Sequence, residues 1–307
     1  MNIRFLTSKK FRGLILLFGV AFIVGCGSGG DKEKVPEVSI DMDEINQELF
    51  DNISDAKQIF YSLPSPLETA MLVRSAGAEY DEELLNPVDN AGKYTGQRKL
   101  ALNLGIYTCD LSFASLYDQT QASISYMNAA KRMADGLGIL DAIDDRTIER
   151  LEENVNNREV LLDIVSETFM NSSSFLEEND RPAIAAIVLV GGWMEGLYIA
   201  TELVNKGTFE GNKLVERITD QKLSINIVIK LLEENQDNSD VAGILTEVNE
   251  LKAIFDKITV ETSEIEASYD EETNVTTLKS QTSSSMSPEI FAELSEKVKS
   301  LRNTYIL

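Results

Sequence analysis

The sequence predicts an all-α protein built as a bundle of about nine or ten helices. From about Asp41 onward, nearly every segment repeats its apolar residues with the period of an α-helix. Capping residues and X-Pro dipeptides separate these segments, and no stretch carries the repeated strand patterns that a sheet domain needs. We therefore expect a single helical domain over residues 41–307, with one short β-hairpin before the last helix.

The first two predicted helices lie before residue 80. The first begins at Asp41 with the spacing of a capping box, and its apolar stripe extends to Leu63. The second has a sharper start, because Ser65 is a good cap and Pro66 suits the first helical position. We expect this second helix to end near Gly77.

Two helices, Gln97–Tyr117 and Ala183–Asn205, are the most apolar in the sequence. Residues 86–96 precede the first of them and contain an Asn-Pro dipeptide and two glycines, which is typical of a loop. Both helices are apolar on most of their circumference, so we expect them at the centre of the bundle. In the second, only the twelve residues before Glu195 form an apolar run, whereas a bilayer span needs about 20.

The other helices of the predicted bundle are shorter or more clearly amphipathic. They are Thr120–Leu137, Asp144–Asn154, Arg158–Glu178, a helix marked by Leu214 to Leu232, another marked by Val241 to Ile258, and a last one capped by Ser287-Pro288. Before the last helix, Glu264–Thr277 alternates partly around an acidic turn, and this pattern predicts the hairpin. The serine-rich segment Lys279–Met286 is predicted to be a mobile linker.

The N-terminal residues 1–25 have the order of parts found in a secretory signal. Met1–Arg12 contains four basic residues and no acid, and Gly13–Val24 is continuously apolar. The next residues complete Ile23-Val24-Gly25-Cys26, which resembles the lipobox of bacterial lipoproteins. The resemblance implies that Cys26 becomes the diacylated N-terminus, followed by a flexible tether over residues 26–40. An ordinary secretory signal and a single anchor helix are the alternatives.

The chain as a whole resembles the uncharacterised all-helical envelope lipoproteins of Bacteroidota-type bacteria. Beyond the lipobox, the likeness lies in helical content, acidity and segments such as Gly191–Leu203. It implies a lipid-anchored protein of the cell envelope, at the outer membrane on its periplasmic or its surface face. It implies no activity.

The charge of the chain limits its partners. There are 51 acidic and 28 basic residues, which gives a net charge of −23. Nucleic-acid binding needs a cationic surface that displaces counterions from phosphate, so we expect no nucleic-acid partner. Adhesion to anionic lipid also needs basic residues, so the expected membrane link is the N-terminal lipid anchor.

The absence of histidine excludes several kinds of site. Without histidine there is no Ser-His-Asp or Cys-His arrangement and no zinc site with an imidazole ligand. The cysteines are Cys26 and Cys109, and Cys109 lies in an apolar helical pattern that favours a buried, inert thiol. The acidic stretch that begins at Asn235 lacks the glycine of a calcium loop. We expect no metal and no cofactor.

Asp110 and Glu195 are the most conspicuous candidates for a site. Each lies in one of the two most apolar helices, where a lone carboxylate is expensive unless it is paired or hydrated. The two could share a pocket in which their pKa values are pushed apart. Alternatively, each could cap a neighbouring helix, face solvent, or bond to a basic residue such as Arg74, Arg98 or Lys99.

Trp193 marks the second candidate feature. It lies beside Gly191, Gly192 and Gly196, which are unfavourable in a helix unless their small size is used. One interpretation is that Gly192 and Gly196 allow a neighbouring helix, Gln97–Tyr117 or its successor, to approach closely. The other is a glycine-lined ligand groove beside Trp193.

Two classes of function follow from these candidates. The first is a non-enzymatic envelope lipoprotein whose bundle binds an unknown protein or small molecule, with Asp110, Trp193 and Glu195 as possible ligand-site residues. The alternative is a carboxylate-dependent hydrolase that uses Asp110 and Glu195. Hydrolase carboxyls lie about 5–9.5 Å apart beside an open cleft, so the geometry of this pair discriminates between the two classes.

Overall fold

A computed structural model describes residue 74 and residues 79–140, 145–262, 266–270, 275–279 and 282–307. These residues belong to one compact unit, Leu49–Leu307. The architecture there is all-α and multi-helical, as the sequence predicts. The predicted leader, Cys26, the tether and the two helices that start at Asp41 and Ser65 lie outside the described residues, apart from the single helical residue Arg74.

The helices are numbered here in chain order. Two 3₁₀ helices, Glu82–Leu84 and Val88–Gly92, precede the bundle. The α-helices are α1 (Gln97–Leu116), α2 (Thr120–Leu137), α3 (Asp145–Glu153), α4 (Arg158–Glu178), α5 (Pro182–Lys206), α6 (Lys213–Glu234), α7 (Ser239–Phe255) and α8 (Pro288–Ile306). Each agrees with a predicted helix to within a few residues.

Helices α1 and α5 form the centre of the bundle. Every residue from Ala101 to Leu116 in α1, and from Ile184 to Thr201 in α5, is buried. Helix α1 packs most extensively against α5 and α2, whereas α6 and α8 cover other faces of α5. The prediction that the two most apolar helices are central is confirmed.

The close approach of α1 and α5 depends on glycine in both helices. A Cβ added to Gly105 would overlap the carbonyl oxygen of Val188 and lie 2.5 Å from the amide nitrogen of Gly192. A Cβ added to Gly191 would overlap the carbonyl oxygen of Leu102 and lie 2.9 Å from its carbonyl carbon. The predicted close approach of helix Gln97–Tyr117 is therefore present, and it involves Gly105, Gly191 and Gly192; the prediction for Gly196 stays a prediction.

Side-chain caps and one glycine fix several helix ends. The Ser287 hydroxyl accepts a hydrogen bond from the Ile290 amide at the start of α8, as predicted. The side chains of Asn212 and Asn238 cap α6 and α7 in the same way. At the end of α2, Gly138 has a φ of 67°, the left-handed conformation that glycine adopts without strain.

Four short strands connect α7 to α8. They are β1 (Thr259–Thr262), β2 (Glu266–Asp270), β3 (Val275–Lys279) and β4 (Thr282–Ser285). The β2 and β3 strands pair antiparallel, with Ser268 opposite Thr277, at the position of the predicted hairpin. The β4 strand pairs antiparallel with β1, so the prediction of a mobile linker in the serine-rich segment was wrong. Polar and apolar residues do not alternate clearly in this segment. Its partner strand lies 20 or more residues earlier, so no short-range sequence pattern indicates the pairing.

Helix α5 is long and apolar enough to cross a membrane by length and composition alone, with a mean hydropathy of 1.8. Within the protein, 94% of its most apolar window is buried by neighbouring helices. A core helix of a soluble domain has the same composition, and the helices packed on α5 account for its apolar surface.

Candidate functional site

The structure brings Asp110 and Glu195 together between α1 and α5. Both side chains are completely buried, and they lie close enough for the charge of Glu195 to raise the pKa of the Asp110 carboxyl. Their meeting follows from the glycine contact, because Asp110 and Glu195 each lie about one turn further along their helices than Gly105 and Gly191. Features of both arrangements considered from the sequence are present, because the two acids lie together and Glu195 also bonds to a basic residue.

Arg302 of α8 neutralises Glu195. Its Nε donates to Glu195 Oε2 at 2.9 Å and its Nη2 donates to Oε1 at 2.7 Å, which is the bidentate geometry that guanidinium and carboxylate favour. Nη2 also donates to the carbonyl oxygen of Leu84 at 3.1 Å, and the guanidinium lies 4.5 Å from the centre of the Tyr198 ring. Burial lowers the pKa of Arg302, but the charge of Glu195 outweighs it, so the pKa is raised and the guanidinium stays charged.

The surroundings of Asp110 favour a protonated, neutral carboxyl. Its Oδ2 accepts a hydrogen bond from the backbone amide of Asn86 at 3.1 Å. Its Oδ1 accepts no hydrogen bond from any donor in the described residues, although it is buried. Burial, followed by the negative charge of Glu195, raises the pKa of Asp110 well above its ordinary value. A protonated Asp110 that donates to Glu195 satisfies both observations, because Oδ1–H then replaces two repelling charges by a hydrogen bond.

A set of amides and a phenol extends this cluster toward the end of α8. The Asn86 amide nitrogen donates to Tyr94 Oη and to Asn103 Oδ1, both at 3.0 Å. Tyr94 Oη in turn donates to the Ile306 carbonyl, and the Asn103 amide donates to the Tyr305 carbonyl, each at 3.0 Å. These bonds satisfy carbonyls that the end of a helix leaves without partners, so they bind α8 to α1 and to the loop before it.

Three tyrosines and a cysteine in the same region also have raised pKa values. Burial is the main cause at Tyr80, Tyr107 and Tyr126, with a smaller contribution from acids at Tyr80 and Tyr126 and from Tyr94 at Tyr107, so all three phenols stay neutral. Burial also raises the pKa of Cys109 well above its ordinary value, which makes its thiol a poor nucleophile. The thiol is free and buried, as predicted.

The chemistry available to the acid pair is limited by access. A raised carboxyl pKa next to a second carboxylate is what general acid catalysis uses. However, neither carboxyl is exposed at all, and Glu195 is fully engaged by Arg302. A hydrolase of the kind considered from the sequence needs an open cleft for its substrate and a water molecule. The pair has the electrostatics of a catalytic site without the access.

Trp193 packs against α6. Its side chain is buried, and its indole Nε1 donates to Gln221 Oε1 of α6 at 3.0 Å. The indole does not line the cavity described in the next paragraph. The neighbouring Gly191 is in close contact with α1. The interpretation of Trp193 as the wall of a glycine-lined groove stays a prediction.

A cavity of about 80 Å³ lies elsewhere, among α1, α2, α3, α4 and α5. Its wall is mostly apolar and includes Leu104, Leu151, Val165 and Leu176. The sequence does not predict this cavity, because its lining residues come from five helices and each resembles an ordinary core residue. Such a site depends on how the helices are spaced, and single-helix patterns carry no information about spacing.

The basic partner of Glu195 was also missed. Of the partners considered, Arg98 bonds to Glu247 instead, Arg74 donates to the Leu116 carbonyl, and Lys99 forms no hydrogen bond to either acid. A signal for Arg302 was present, because it lies four residues after Val298 on the apolar stripe of α8. A basic residue on a buried stripe predicts a buried acid opposite.

Within the described residues there is no group of three or more acids or cysteines that could hold a metal ion. The stretch at Asn235 serves as the turn between α6 and α7, where the Asn238 side chain accepts hydrogen bonds from the amides of Asp240 and Val241. No protein-family model, no curated protein sequence and no solved structure matches the chain. Its function is therefore argued from the sequence and the geometry.

Proposed function

We propose that this protein is a lipid-anchored helical binding module of the bacterial cell envelope and that it has no catalytic role. The proposal has two parts, the anchor and the mode of action. The observation that carries the second part is the burial of Asp110 and Glu195, since the carboxyl pair best suited to chemistry is closed to substrate. In this proposal the acid pair has a structural role, and the protein acts by binding.

The anchor is supported by the leader sequence and by the excess of acidic residues in the chain. The sequence Ile23-Val24-Gly25-Cys26 follows a twelve-residue apolar run, and Cys26 is the only cysteine near the expected cleavage point. The excess of acidic residues opposes electrostatic adhesion to anionic lipid, so acyl chains would supply the membrane affinity. Two or more chains give stable anchoring, whereas one gives reversible binding.

Replacing the acylated cysteine tests the anchor. We expect Cys26→Ser to abolish acylation, because the thioether bond to diacylglycerol requires sulfur. Cells that express either form are fed radiolabelled palmitate, and the protein is recovered and analysed for label. The proposal requires label on the wild type and none on Cys26→Ser; label on both forms, or on neither, would contradict it. Cys109→Ser is the matched control and should be labelled like the wild type.

The absence of catalysis is tested with glycans. Purified protein is incubated with peptidoglycan and with storage and plant polysaccharides, and the release of reducing ends is measured. We expect no release above a heat-denatured sample. Release that is lost in Glu195→Gln would establish the hydrolase alternative and overturn this part of the proposal.

A further inference from the structure

The cavity among α1 to α5 has the dimensions of an alkyl-chain site. Its volume is about 80 Å³, and Leu104, Leu111, Leu151, Val165, Leu176 and Val188 supply its apolar wall. An apolar cavity that holds benzene measures about 150 Å³, so this one is too small for an aromatic ring and suits the end of a linear chain. The rest of such a molecule would lie toward the opening.

Two serine hydroxyls face the cavity without partners. Ser172 and Ser173 of α4 line it and are each more than nine-tenths buried. Other hydroxyls in the same wall, those of Thr108 and Thr168, donate to carbonyls one turn earlier at 2.7 and 2.6 Å. In the described part of the chain the two serine hydroxyls form no such bond, and neither oxygen is among the fully enclosed polar atoms that lack a partner. They are therefore available to polar atoms of a bound molecule.

Lys131 supplies a positive charge at the exposed edge of the cavity. It lies on α2, it lines the cavity, and it forms no ion pair with any described residue. In a chain with 51 acids and 28 basic residues, an unpaired lysine at a cavity is available to an anion. Glu152 of α3 is the one acid among the described lining residues, and its negative charge opposes every anionic head group, most strongly one that carries more than one charge.

We propose that this cavity binds a medium-chain monocarboxylate. The alkyl end lies among the leucines and valines, and the carboxylate accepts hydrogen bonds from Ser172, Ser173 and the Lys131 ammonium group. A free fatty acid of about eight carbons has this chemistry, and its length lets the chain fill the cavity while the carboxylate stays near the edge. The inference rests on the proposed binding function and names the class of ligand.

Calorimetric titration with sodium octanoate tests the proposal on the full-length protein in lipid nanodiscs, with empty nanodiscs as the blank. We expect saturable binding to the wild type and binding at least about tenfold weaker to Lys131→Gln, because the charge that holds the carboxylate is lost. Ser172→Ala and Ser173→Ala should each weaken binding less. Lys213→Gln, which removes an exposed lysine outside the cavity, is the matched control and should bind like the wild type.

The head group is tested with two further probes of the same chain length. Octanol and octyltrimethylammonium should each bind at least about tenfold more weakly than octanoate. If octanol binds with the affinity of octanoate, the proposed role of Lys131 is overturned. If octyltrimethylammonium binds more tightly than octanoate, Glu152 and not Lys131 contacts the head group. Absence of octanoate binding up to about 10 mM, or wild-type affinity in Lys131→Gln, would overturn the proposal. None of these results affects the palmitate label at Cys26, so the two proposals fail independently.

Discussion

At the scale of single residues, Asp110 shows how a buried acid can be kept neutral. Its carboxyl is fully buried, and Oδ2 accepts a hydrogen bond from the Asn86 amide, whereas Oδ1 has no donor among the described residues. Arg302 compensates the charge of Glu195 through two hydrogen bonds, and it lowers the pKa of Asp110 less than burial and Glu195 raise it. Holding one proton therefore makes the three side chains neutral as a group, which is the least costly state in a dry interior.

The neutral state of Asp110 predicts a pH dependence of stability. Its folded-state pKa is raised, so its contribution is fully present below its unfolded pKa of about 4 and is lost as pH rises toward the folded-state pKa. In Asp110→Asn, the amide can donate to Glu195 and accept from the Asn86 amide without titrating. We expect the variant to match the wild type near pH 4 and to be more stable at pH 7.

Urea unfolding from pH 4 to pH 8 measures this difference. The gap between Asp110→Asn and the wild type should widen by up to about 1.4 kcal/mol per pH unit where only the folded state keeps the proton. Asp118→Asn is the control, because Asp118 is an exposed partner of Arg158. A constant gap across the pH range would show that Asp110 is ionised in the folded protein.

At the scale of helices, the sequence predicts most of this fold. Helical periodicity locates the eight α-helices named above, and side-chain caps mark the starts of α6, α7 and α8. Contacts between helices are harder to predict from the sequence. The role of Gly191 could be inferred from its unfavourable position in a helix, but Gly105, its counterpart in α1, lies in a run with no feature that distinguishes it. The pairing of β1 with β4 was not predicted for the same reason, because the two strands are remote in the sequence.

The glycine contact predicts that alanine is harmful where helix propensity says that it should help. At Gly191, the new Cβ would overlap the Leu102 backbone, which cannot rotate away as a side chain can. We expect Gly191→Ala to lower the free energy of unfolding by roughly 1–3 kcal/mol, more than the propensity gain of about 1 kcal/mol. Thermal and urea unfolding give the value.

A matched glycine in another helix provides the comparison. At Gly243 of α7, an added Cβ would meet the guanidinium end of Arg98, which is flexible. Gly243→Ala should therefore be neutral or stabilising by up to about 1 kcal/mol. If Gly191→Ala proves as stable as Gly243→Ala, the two central helices are further apart than the structure has them.

At the scale of the whole molecule, the polar cluster connects distant parts of the chain. The loop at Asn86, helices α1 and α5, and the last turns of α8 all contribute to it. The two acids could be predicted from the sequence, but the Asn86 and Asn103 amides and Arg302 could not. A local sequence pattern does not show which residues a buried acid will contact. The core is thus specified by polar bonds as well as by apolar contact, and removal of one charge should affect global stability.

Truncating the buried cation tests this coupling. Arg302→Met keeps an apolar stem but leaves Glu195 without a counter-charge, so we expect a loss of about 3–5 kcal/mol at pH 7. Adding Glu195→Gln should restore much of that loss, since no uncompensated charge then remains. Lys257→Met, which breaks the exposed pair with Glu293, should change stability by less than about 1 kcal/mol. Urea unfolding distinguishes these outcomes, and additive losses in the double variant would refute the coupling.

The separation of Glu195 from Arg302 makes the centre of the bundle depend on its last helix. The two residues are 107 positions apart, and α5 docked in its final place without α8 would bury the charge of Glu195 with no counter-charge. We therefore expect a chain truncated before α8 to be loosely packed and to be cleaved by proteases faster than the full-length chain.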